Sequence, residues 1–193
     1  MMDNKKIVFI LLFITAVSMV SGSFFEVYMS GLGKEQLMET LSLLFSNKST
    51  DGFLSLFIAS FFDIFKIWVY MLLCPIIPVL ALFSPFICVF RGFSAGFSST
   101  MLIEAFGMKG TLYILSTIIP HNIIQLPLLC ILSCVSLKMS LKVTRLYIQK
   151  SNRNRNKNAL QKDARHYLTI YFLSLIILLI SCLIEAFLKQ SLL

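Results

Sequence analysis

Thr111–Leu137, TLYILSTIIPHNIIQLPLLCILSCVSL, is a long apolar run with one polar island inside it. The hydrocarbon core of a bilayer takes about 20 residues at about 1.5 Å of helical rise each, so this stretch predicts a membrane-crossing helix. The island is Pro120, His121, Asn122, Gln125 and Pro127. Each proline lacks a backbone donor and crowds the carbonyl four residues earlier, so the carbonyls of Ser116 and Ile123 are expected to be released near the membrane midplane. In lipid such groups persist only where protein or trapped water satisfies them. His121, Asn122 and Gln125 can do that, which makes the island a structural centre that faces protein rather than lipid.

The whole chain extends the same reading. Of its 193 residues 58% are hydrophobic and only 13% are charged, against about 25% charged in a soluble domain, and mean hydropathy is +0.86. An all-α polytopic membrane protein follows, with about five transmembrane helices, some kinked by proline, in a single integral membrane domain over residues 1–193. The net charge of +8 would suggest nucleic acid in a soluble protein. Here the basic residues sit beside a span, where anionic lipid attracts them, so membrane lipids are the expected partner and nucleic acid is not. Cys74, Cys88, Cys130, Cys134 and Cys182 all lie in apolar segments and read as soft buried thiols, with no disulfide, metal site or cofactor implied.

Lys5 and Lys6 precede a first span at about residues 7–25, read as an uncleaved anchor because it is too long for a signal-peptide core. Residues 26–66 form an outer loop. Within it Lys34–Phe45 has an amphipathic helical period, Asn47–Gly52 is a turn, and Phe53–Lys66, interrupted by Asp63 and Lys66, suits the membrane interface. A second span at 67–90 is broken by Pro75, Pro78 and Pro85 and closed by Arg91. A short third span at 92–107 requires tilt or local thinning. The fourth is 111–137, and the fifth, 166–189, follows a basic cytoplasmic loop at 138–165. In that loop Lys138, Lys142, Arg145, Lys150, Arg153, Arg155, Lys157, Lys162 and Arg165 stand against the single acid Asp163, and residues 151–158 read as a solvated linker. The positive-inside rule then places the N-terminus in the cytoplasm and the C-terminus outside.

Gly92-Phe93-Ser94-Ala95-Gly96 matches G-x-S-x-G, but the nucleophile elbow needs a strand, a turn and a helix. A Ser94–His121 dyad is also disfavoured. On these spans Ser94 lies about 5 Å from the inner face and His121 near the midplane of a ~30 Å core. No catalytic residues are assigned, and Gly92 and Gly96 read as helix-packing positions. His121 alone could relay protons, but with no second histidine at mid-depth and no mid-depth carboxylate the structural role is favoured. Glu104 and Glu185 fall near the outer face, where either could reach water; with Arg91 they complete the candidate residues.

The run Arg91–Phe97, then Phe106–Gly110, then Ile119–Pro127, closed by Cys182–Phe187, resembles the stage II sporulation protein M family, over about residues 53–193. The Pro-His-Asn/Gly-x-x-x-x-Pro island is the most distinctive part, although relatives often carry glutamate where this chain has Gln125. The amino-terminal forty residues share only an anchor span. The resemblance implies a non-enzymatic membrane scaffold of the sporulation engulfment machinery. It would localise two peptidoglycan hydrolases, the D protein (a lytic transglycosylase) and the P protein (an amidase and endopeptidase), at the mother-cell engulfing septal membrane of an endospore-forming bacterium. Residues 26–66 and the Gly107–Gly110 turn are the expected outer contact surfaces, and a homo-oligomer stays open. The alternative from another class is a small permease or channel subunit, because kinked spans with a polar midplane also build transport sites.

Overall fold

Pro75 and Pro78 decide where the second helix stops. A proline four residues past a carbonyl removes its donor, and here the chain leaves the helix instead of kinking through it. The structure, a computed structural model, describes residues 4–29, 31, 33–40, 52–76, 78–148 and 153–192. Helix α1 is Asn4–Tyr28, α2 is Phe53–Leu73, α3 is Pro78–Phe106, α4 is Met108–Tyr113, α5 is Ile119–Ile148 and α6 is Arg153–Leu192. Residues 33–40 are helical too. Cys74–Ile76 make one 3₁₀ turn and Ile114–Ile118 one π-turn. Among the described residues five stretches are long and apolar enough to cross a membrane: Lys5–Tyr28, Phe53–Leu73, Phe83–Phe106, Ile119–Thr144 and Gln161–Gln190. The protein is an all-helical, multi-pass membrane protein.

The bundle is apolar outside and partly polar inside, the arrangement expected where lipid tails are as apolar as leucine. Phe9, Phe13, Phe86, Phe90, Phe172 and Phe187 are exposed, whereas Ser84, Ser133, Ser136, Ser174 and Ser181 are buried. Ser84 and Ser133 hydrogen-bond at 2.9 Å between α3 and α5, and Trp68 Nε1 donates to Ser174 Oγ at 3.0 Å between α2 and α6. All five cysteines are free and buried. The fourth span is central, with 44% of its apolar window buried, against 22% for the first and second.

The break after α2 shows how a released carbonyl is satisfied. Pro75 leaves the Met71 carbonyl without its helical donor. Ser136 Oγ from α5 donates to it at 2.8 Å, and Tyr167 and Tyr171 hydroxyls from α6 each at 3.1 Å. Tyr167 also reaches the Leu72 carbonyl at 3.0 Å. Pro78 opens α3 at a position where no backbone donor is required.

Several boundaries differ from those expected. Residues 53–66 are the first part of α2, a spanning helix, and not an interfacial segment. The expected 67–90 span is broken at Cys74–Ile76, and Arg91 and Gly92 continue within α3. Arg91 was expected to end a span because charge is costly in lipid; it stays helical because its side chain finds Gln125 and a polar cavity. The third span is therefore 83–106, long enough to cross without thinning. Gly107, at φ 56, turns the chain, and residues 108–118 run as helix through the π-turn into α5. Residues 153–158 of the expected linker are helical in α6, and Lys142 pairs with Asp163 at 2.7 Å across the α5–α6 ends. Residues 41–51, with the end of the amphipathic stretch and most of the turn, lie outside the described residues.

Candidate polar site in the helix bundle

Helix α5 starts in a way that only its local sequence explains. Pro120 cannot donate, and the Ile119 N–H bonds back to the Ile114 carbonyl, five residues earlier, which closes the π-turn. The turn absorbs the proline without ending the helix. His121 and Gln125, one turn apart, then share a face turned into the bundle, and both are buried. From α6 come Glu185 and Lys189, also one turn apart, and from α3 comes Arg91.

His121 Nδ1 lies 2.9 Å from Glu185 Oε2, off the line of a well-formed hydrogen bond. Lys189 Nζ donates to the other carboxylate oxygen of Glu185 and lies 3.4 Å from Ser60 Oγ of α2. Arg91 donates to Gln125 Oε1 at 3.5 Å, a long contact between a charge and a neutral amide. The group borders a cavity of about 370 Å³ whose walls include Arg91, Ser94, Ser98, Tyr113, Asn122 and Lys189. A second cavity of about 150 Å³ lies on the α2 side, against Ser60, Asp63 and the same Arg91, His121, Glu185 and Lys189. Burial pushes the Tyr113 phenol up to about 12, helped by the charge of Glu185, so it stays a neutral hydroxyl at the wall.

The structure gathers His121, Gln125, Arg91 and Glu185 from the expected candidates, with Asn122 on the cavity wall. One expectation about depth changes: Glu185, expected near water, is buried beside His121. Ser94 and His121, expected at different depths, border the same cavity. Among the described residues no hydrogen bond joins them, and His121 is turned to Glu185. Pro127 sits inside α5. Glu104 lies apart from the site: Lys34 bridges its carboxylate, at 2.6 Å, to that of Glu26, at 3.3 Å.

Gly92 and Gly96 lie against α1. A Cβ on Gly92 would fall 2.7 Å from the Thr15 carbonyl oxygen, and one on Gly96 only 1.9 Å from that of Met19. Gly22 of α1 is matched in the same way, 2.2 Å from the Phe93 carbonyl oxygen. The helices therefore touch backbone to backbone, and Ser18 Oγ donates across the seam to the Val89 carbonyl at 2.7 Å.

Lys189, Ser60, Tyr113 and the Glu26–Lys34 pair were not singled out from the sequence. The spacing of Glu185 and Lys189 on one helical face was the available signal for the first. Ser60 and Lys34 had none, because their partners are remote in the chain.

Residues 7–189 match the family model described as stage II sporulation protein M. The match reaches back through α1, well beyond the stretch from residue 53 on which the resemblance was read. No curated protein and no solved structure matches the chain. With nearly its whole length matched, the chain belongs to the stage II sporulation protein M family, membrane proteins of sporulation engulfment.

Proposed function

We propose that this chain is a non-enzymatic scaffold that localises the engulfment peptidoglycan hydrolases, the D and P proteins, at the engulfing septal membrane of the mother cell. The observation that carries the reading is the family match over residues 7–189. The geometry is compatible with it. Most of the chain is spent on five spans, and residues 29–52 and 107–118, between spans, would face the compartment where the wall is remodelled. The basic ends of α5 and α6 favour the orientation with the N-terminus in the cytoplasm. The test is gentle detergent extraction of a tagged copy from sporulating cells, with mass spectrometry of what co-purifies, before and after Pro120 and Pro127 are replaced by alanine. Recovery of cell-wall hydrolases supports the scaffold, and their loss from the variant makes the island its structural centre. Absence of any hydrolase from the wild-type preparation overturns it.

The 370 Å³ polar cavity favours a second reading, a small permease subunit. In that case His121 and Asn122 would contact a solute, and purified protein in vesicles would pass it in a His121-dependent way.

A further inference from the structure

Arg91 carries a charge that the described residues leave without an acidic partner. Its one described hydrogen bond is to Gln125 Oε1, at 3.5 Å, a single neutral acceptor for a group with five N–H donors. The other cation at the cavity, Lys189, is taken up by Glu185, which also faces His121. Asp63 borders the smaller cavity but pairs with Lys66 at 3.5 Å. Two cations, Arg91 and Lys189, against the one carboxylate of Glu185 leave the site with positive charge in excess. An uncompensated charge among membrane helices is costly and marks a place where something else supplies the opposite sign.

The larger cavity supplies the room and the donors. Its volume of about 370 Å³ falls in the range of about 300–1,000 Å³ usual for small-ligand sites. Ser94 and Ser98 stand one turn apart on α3, just beyond Arg91, and Tyr113 and Asn122 add a phenol and an amide to the wall. A guanidinium fork with several neutral O–H and N–H donors is the donor set that recognises oxyanions.

We propose that this cavity binds an oxyanion group, carried either by an anionic lipid headgroup or by free phosphate, with Arg91 as its counter-charge. Arg91 meets it through two guanidinium N–H groups, while Lys189 stays with Glu185. The Gln125 amide, wholly buried with its nitrogen unpartnered in the described structure, holds the guanidinium at the cavity wall. The site is independent of hydrolase binding, so failure of the co-purification leaves it standing.

Two probes test it on the full-length protein. In phosphatidylcholine nanodiscs the unfolding midpoint is followed against added inorganic phosphate. From membranes of mixed phosphatidylglycerol and phosphatidylcholine, lipid retained through detergent release is counted by native mass spectrometry. The wild type is expected to show a saturable response to at least one: phosphate stabilisation identifies a soluble source, and preferential retention of phosphatidylglycerol a headgroup. Arg91→Gln should weaken that response roughly tenfold or more, Arg91→Lys should keep part of it, and Lys109→Gln, at an exposed lysine that borders neither cavity, should leave it unchanged. Wild-type indifference to both probes overturns the proposal, as does undiminished binding by Arg91→Gln. Should Arg91→Gln fail to fold, the paired Ser94→Ala/Ser98→Ala variant decides: several-fold weaker binding is expected, and unchanged binding overturns it.

Discussion

His121 of α5 and Glu185 of α6 meet at 2.9 Å, Nδ1 to Oε2, and the same carboxylate holds Lys189 one turn further along α6. Removing the acid leaves two half-buried cationic side chains, Lys189 and Arg91, with no carboxylate between them. Breaking a buried pair on one side is far more harmful than removing both partners. Glu185→Ala is expected to destabilise the bundle by about 3 kcal/mol, read as a lowered melting midpoint in detergent. Glu185→Ala with Lys189→Met should recover a large part of that loss. A double variant as unstable as the sum of the singles would contradict the coupling.

The Met71 carbonyl gives a cleaner cycle. Tyr171→Phe removes one hydroxyl from a carbonyl that Pro75 has deprived of its helical donor, and should cost about 1 kcal/mol. On a Pro75→Ala background, where residue 75 can donate to Met71 again, the same substitution should cost clearly less. Chemical denaturation of the four proteins measures both numbers. Equal costs on the two backgrounds would mean that the tyrosine does not act through the proline break.

Gly96→Ala tests the seam between α1 and α3. The added methyl would meet the Met19 carbonyl, which is backbone and cannot swing away. We expect a loss of about 2 kcal/mol or more, within the range for overpacking, and a wider α1–α3 separation by spin-label distance measurement. Gly52→Ser is the control: nothing lies within 4 Å of a Cβ there and φ is −66°. It places a capping hydroxyl before α2 and should leave stability unchanged or slightly raised. Equal behaviour of the two variants would remove the argument from close backbone approach.

The number of spans and the membrane class were legible because apolar length is written locally in the chain. Boundaries were less so. Arg91 looked like an end because its cost in lipid is local, whereas the Gln125 side chain and cavity that accommodate it belong to other parts of the fold. Three prolines between 75 and 85 looked equivalent, yet Pro75 and Pro78 frame a break while Pro85 stays inside α3; tertiary donors from Ser136, Tyr167 and Tyr171 make the break tolerable at the first. The polar island was visible in the sequence and Glu185 stood among the candidates, but the pairing of the two, and Lys189 beside them, was not, since only the packing of α6 against α5 brings them together.

Lys34 ties the C-terminal ends of α1 and α3 to the helical residues 33–40, through Glu104 at 2.6 Å and buried Glu26 at 3.3 Å. Its pKa is raised, chiefly by the hydrogen bond to Glu104. A lysine whose folded pKa exceeds the unfolded value, about 10.4, contributes stability that is fully present below that value. The contribution is lost as pH rises through the folded pKa. Lys34→Gln leaves two neighbouring carboxylates without their cation, so it should melt below the wild type by a constant margin from pH 7 to pH 9. Above about pH 10.4 the margin should shrink as the wild-type ammonium deprotonates. Added salt should narrow it at neutral pH, since Glu104 is partly exposed. Detergent melts of both proteins across the alkaline range decide the matter: a margin that persists unchanged to the alkaline limit would assign Lys34 a packing role and not an ionic one.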